Sequence, residues 1–154
     1  MTKNVTIARA LKEKNRVAGR LAKARELVGK ENSKDKNVPR GIDVVETYAL
    51  AKALRDRLVS IKVAIAEANN PIVSKIVELE EIKSEIKYLN RLDAREGKFV
   101  ESNYVARTES EFDAVIRKQQ ILAEVAALQE RADSLQDELD EFNAKTKVDI
   151  EFDA

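Results

Sequence analysis

Three groups of residues have the types and spacing to do chemistry. The first is acidic. Glu78, Glu81 and Glu85 recur at steps of three and four with Glu80 beside them, so a helix would carry them on one face. Carboxylate-bridged metal centres in helical bundles combine inward glutamates with Glu-x-x-His, and this chain has no His. An all-oxygen Mg²⁺ or Ca²⁺ site also needs loop carbonyls or a shaped cage. With Lys83 and Lys87 interleaved, these glutamates read as a solvated face, and a metal-dependent hydrolase built on them ranks third among the functional readings.

The second group is hydroxylic. Ser60, Ser74, Ser84, Ser102, Ser110 and Ser134 have no His to activate them, and no Ser-Lys motif is present. The chain has no Cys, which removes disulfides, thiolate nucleophiles and thiolate metal sites. Its four glycines are scattered, so neither type of phosphate loop is formed. No catalytic residue, metal ligand or cofactor follows from these patterns. The expectation is a protein that is not an enzyme and has no evident small-molecule substrate.

The third group is basic. Arg9, Lys12, Arg16, Arg20 and Lys23 recur at helical spacing near the N-terminus. Such a stripe can track phosphates, with an affinity that falls steeply with salt. It can equally pair with acids elsewhere, and Glu130, Asp133, Asp137, Asp140 and Glu141 supply a matching stripe. The wider charge distribution favours pairing. Residues 1–40 carry 12 Lys/Arg against 4 Asp/Glu, and residues 101–154 carry 6 against 14. The net charge is nevertheless zero, and the basic helix has no aromatic on which a base could stack. These stripes therefore predict that the first and last helices lie antiparallel, which would also offset their unfavourable dipole placements. The interaction residues expected are Arg9, Lys12, Arg16, Arg20 and Lys23 against Glu130, Asp133, Asp137 and Glu141.

The elements that must position these groups are helices. Charged residues make up 36% and aromatics 5%, with two Pro, a balance suited to long helices with thin Leu/Ile/Val/Ala layers. The spacing predicts one helical domain over 1–154, with helices at about 5–30, 43–69, 71–95 and 110–145. In the first, Ile7, Leu11, Ala18, Leu21 and Val28 form the stripe, interrupted by Lys14 and Arg25. Residues 30–41 lose all periodicity and read as a loop. Asp43 and Glu46 form a capping-box pattern ahead of Val44, Tyr48, Ala51, Leu54, Leu58, Ile61, Ile65 and Ala68.

Asn69-Asn70-Pro71 favours a turn over a kink, with Asn69 left-handed. Ile72, Ile76, Leu79, Ile82, Ile86, Leu89 and Leu92 line the third helix, and Gly97 stops it. The last helix, roughly 54 Å long at about 1.5 Å per residue, carries Phe112, Val115, Leu122, Val125, Leu128, Ala132, Leu135, Leu139 and Phe142. It outreaches partners of roughly 40 Å, which points to a seam shared between chains. Residues 98–107, with Phe99, Val100, Tyr104 and Val105, lack helical spacing. Val148, Ile150 and Phe152 alternate with Asp149, Glu151 and Asp153. These two pieces are expected to pair as a small C-terminal β-ribbon.

The run ARALKEKNRVAGRLAKARELV, the central IAEANN and the closing FDAVIRKQQILAEVAALQERADSLQDELDEFN resemble the DIP-type family of uncharacterised bacterial long-helix proteins. The resemblance covers most of the chain. It implies antiparallel helical hairpins that associate side by side, and it assigns no activity and no functional residue.

The reading is an all-α protein of long antiparallel hairpins or a four-helix bundle with coiled-coil packing. No apolar run approaches the roughly 18 residues of a membrane span, and no signal-peptide core opens the chain. The expected setting is the cytoplasm or a particle assembled there, such as a bacteriophage virion. The expected role is structural, as a homo-oligomer or alongside other subunits of a particle. The alternative is an adaptor that binds nucleic acid or a partner helix through the basic first helix.

Overall fold

The computed structural model describes residues 1–102 and 105–152. Tyr104 and Asp153, assigned above to extended segments, lie outside the described residues. The chain is predominantly helical, with two small antiparallel sheets. In chain order the elements are β1 (Thr2–Thr6), α1 (Ile7–Glu31), α2 (Val44–Ala68), α3 (Val73–Arg91), β2 (Gly97–Ser102), β3 (Arg107–Phe112), α4 (Lys118–Lys145) and β4 (Lys147–Glu151). They group into two compact units: Met1–Val73 with Asp140–Ala154, and Ser74–Leu139.

In the first unit, β1 pairs antiparallel with β4, with Val5 opposite Val148. The strand runs directly into α1, because Thr6 is extended and its hydroxyl accepts from Arg9 N–H at 3.3 Å. Ile7 N–H, an orphan donor of the first turn, donates to Thr146 O at 2.9 Å just before β4. Asp43 caps α2 as expected, its carboxylate accepting from Glu46 N–H at 2.9 Å.

The core joins Ile7, Ala10, Val17, Leu21 and Ala24 of α1 to Ala51, Leu54, Ile61 and Ile65 of α2 and to Val148 and Ile150 of β4. The seam of α1 is thus shifted from the expected one. Leu11, Ala18 and Val28 are only half-buried, whereas small residues at 10, 24 and 51 let the two helices approach closely.

Between α2 and α3 the chain makes a 3-10 turn over Asn70–Ile72. Asn69 stays in the right-handed region, with φ −80° and ψ −7°, and not in the left-handed cap expected of it. Pro71 sits in the first turn of this segment, where its missing N–H costs nothing. The expected open turn is therefore a helical joint.

In the second unit, Leu79 and Leu89 of α3 are buried, as are Ile121, Ala132, Leu135 and Leu139 of α4. Polar bridges link the two helices. The Arg131 guanidinium donates to both Glu78 oxygens at 2.8 and 3.0 Å, and Lys75 pairs with Glu138. Between the helices β2 and β3 form a hairpin, with Gly97 opposite Phe112 and Ser102 opposite Arg107. Gly97 has φ +92°, a conformation glycine adopts without strain, and it starts this strand after α3 has already ended at Arg91.

Two expectations fall here. Residues 110–117 are not helical: Ser110–Phe112 belong to β3, which is paired with β2, and α4 starts at Lys118. The last helix is accordingly 28 residues, about 42 Å, so its length gives no reason for a shared seam. Of the segment 98–107, the described strand residues up to Ser102 pair with β3 and not with the C-terminal strand. That strand takes β1, and each ribbon is complete without the other.

Candidate functional site

The charged stripes are the natural place to look for a site. Arg9, Lys12, Arg16, Arg20 and Lys23 are all exposed on α1. The helix laid along α1 is α2, and Arg131, Gln136 and Glu138 of α4 bond Glu78, Lys83 and Lys75 of α3. Within the first unit α1 packs along α2, and within the second α3 and α4 are joined by polar bridges. The apolar seam shared by α1 and α2 holds that pair together, and surface charges of this kind contribute little beside it. Glu130, Asp133, Asp137 and Glu141 are exposed, with Asp133 accepting from Gln129 at 2.9 Å and Glu141 bonded to Lys145 one turn on.

Beneath the basic stripe lies a residue that sequence reasoning missed. Glu13 is 6% exposed and is the one buried charged residue among those described. Arg16 donates to both of its oxygens at 2.8 Å, and Arg57 of α2 donates to Oε1. Arg57 is 11% exposed and also donates from Nε and Nη2 to the Glu151 carbonyl of β4, at 3.1 and 3.0 Å. One guanidinium therefore ties α1, α2 and β4 together, and its planar fork suits a carboxylate and a carbonyl at once. The available signal was position: Glu13 follows Ala10 by three residues and precedes Val17 by four, which places it on the buried seam.

An open groove runs beside this clamp, lined by Thr6, Ala8, Arg9, Lys12, Glu13, Arg16 and Phe152. Arg9 and Lys3 lie over the Phe152 ring at 5.8 and 5.5 Å from its centroid. The groove is net basic. It offers no nucleophile with an activating base.

Of the glutamates considered for a metal, Glu78 is engaged by Arg131, whose hydrogen bond and charge hold its carboxyl below the ordinary carboxylate range. Among the described residues no three His, Cys, Asp or Glu side chains cluster in a way that would hold a metal ion. No described helix is long and apolar enough to cross a membrane.

The second feature missed in the sequence is an apolar face on the far side of α2. Val45, Val59 and Val63 are exposed on the side of the helix away from Leu54, Ile61 and Ile65, with Val45 80% accessible. Tyr48, expected in the buried stripe, is exposed on the flank beside Val28 of α1. On α3, Val73, Val77 and Tyr88 are likewise exposed opposite Leu79 and Leu89. Both helices thus carry apolar residues on two faces, a pattern that one apolar stripe per helix does not reveal.

No family model matches the chain. No curated protein is significantly similar to it. A solved structure is similar in fold, that of a functionally unknown conserved protein from Corynebacterium diphtheriae. It is 12% identical, with a TM-score of 0.80 over 95% of this chain and 99% of that one. The likeness concerns the fold alone.

Proposed function

We propose that the protein is a non-enzymatic assembly component that works through helix-to-helix contacts, as a homo-oligomer or as a subunit of a larger particle. A bacteriophage virion is a fitting setting. Kinship with the DIP-type helical proteins belongs to the same proposal. The observation that carries it is the outward apolar face of α2, with Val45, Val59 and Val63 open to solvent; α3 separately exposes Val73, Val77 and Tyr88. Water-exposed apolar rows on regular helices are what a partner helix covers. Sedimentation velocity at physiological salt across a wide concentration range tests this. Association that rises with concentration is expected, and a strict monomer throughout overturns the reading.

The groove beside Glu13 supports a second reading, an adaptor for an anionic partner such as nucleic acid, held by Arg9, Lys12 and Arg16. Its affinity would fall steeply with salt. Absence of any gel shift at low salt removes it.

A further inference from the structure

Along the outward face of α2, Val45, Ala49, Lys52, Asp56, Val59 and Val63 follow steps of four, three, four, three and four, all exposed. This is a heptad seam distinct from the buried one. Its order is symmetric about the level of residue 54. Val45 and Val63 lie equally far from that level, as do Ala49 and Val59, and so do Lys52 and Asp56. Read against itself in the opposite direction, the row places apolar on apolar at both ends and opposite charges in the middle. A closed two-fold contact has this self-complementarity, because each patch must fit its own copy.

We infer that the partner of this face is a second copy of the chain, with two α2 helices packed antiparallel about a two-fold axis at the level of residue 54. The inference rests on the assembly reading above and specifies its partner and register. Val45 of one protomer then meets Val63 of the other, Ala49 meets Val59, and Lys52 meets Asp56, each pair occurring twice. Two charges per protomer inside the seam fix the register, as polar residues do in helical pairs. Asp56 already accepts from Arg55 of its own chain at 2.6 and 2.8 Å, and its remaining lone pairs can accept from the partner's Lys52. Lys52 also lies 4.9 Å from the centroid of Tyr48, which lies on the flank of the seam. A parallel pair would set Lys52 against Lys52 and Asp56 against Asp56, so the charges select the antiparallel arrangement.

The test uses charge variants of the full chain at exposed positions, with circular dichroism confirming the fold. Lys52→Asp and Asp56→Lys each make the middle of the seam one sign, and each alone should weaken self-association by about tenfold or more. Mixed in equal amounts, the two variants should form a heterodimer, and the double variant Lys52→Asp/Asp56→Lys should dimerise again. As a register check, Val45→Cys/Val63→Cys should oxidise to a covalent dimer. The two sites lie about 27 Å apart along one helix, beyond the reach of a bond within the chain, and the protein has no Cys of its own. If the protein associates but the single charge variants associate equally well and the cysteines do not link, this interface is wrong and the assembly reading stands. If the protein is a monomer at every concentration, both are overturned.

Discussion

The two units solve the same structural problem in different ways. Each contains helices and a two-stranded antiparallel ribbon. In the first, the ribbon is part of the core: Val148 and Ile150 alternate inward from β4, and the Arg57 guanidinium clasps its edge carbonyl while neutralising Glu13. In the second, both strands of the ribbon face solvent, and Arg131–Glu78 and Lys75–Glu138 are exposed or half-exposed bridges. The exposed ribbon is held together by its own side chains. Phe99 and Phe112 meet edge-on at 5.5 Å, and the Arg95 guanidinium lies 4.0 Å from the Phe112 centroid. Charge and sheet are structural cement in one unit and surface finish in the other.

Substitutions can break this contrast. The largest effect is expected at the clamp, where Arg57→Met takes the α2 guanidinium from the buried Glu13 and strips two bonds from β4. Removing one member of a buried pair costs on the order of 3 to 4 kcal/mol, read as a lowered urea midpoint. Next comes the ribbon core. Ile150→Ala, at a side chain 3% exposed, should cost about 2 to 3 kcal/mol. Val100→Ala in the other ribbon, 46% exposed, should stay within about 0.5 kcal/mol. Equal losses from the two would erase the distinction between the ribbons.

The smallest effect is electrostatic. Arg131 lowers the Glu78 pKa from its ordinary 4.5, so this link stabilises the folded state above that value and is lost as pH falls through the depressed one. Arg131→Ala should therefore give a slight loss at neutral pH that disappears in acid. A loss that persists unchanged well below pH 4.5 would mean that Arg131 acts by packing.

Much of the first unit was legible in the residues. Asp43 announced the start of α2, Ala51, Leu54, Ile61 and Ile65 announced its buried face, and the Val148–Ile150 alternation announced a strand. What stayed hidden has physical reasons. Thr2–Thr6 is mostly polar, and its strand conformation comes from a partner 145 residues away in the case of Asn4 and Asp149. Phe112 and Val115 happen to fit helical spacing, yet the polar residues before them are held in a strand by pairing with Gly97–Ser102. A buried Glu13 looks like any other acid in a charged helix until Arg57 arrives from another element. The second seam of α2 was masked by the first, because a helix with apolar residues on two faces satisfies either pattern.

The pairing of β1 with β4 also sets an order of events. The α1–α2 hairpin can form as soon as its own residues exist, but Val148 and Ile150 must arrive across the intervening chain before that core is covered. Closing so long a loop carries an entropic cost that grows with the logarithm of its length, and such distant pairings form slowly. Residues 74–139, by contrast, are contiguous and can finish on their own. During synthesis the unit that begins first is therefore the one completed last. Its exposed helical hairpin is the species most open to misassociation until β4 closes over it.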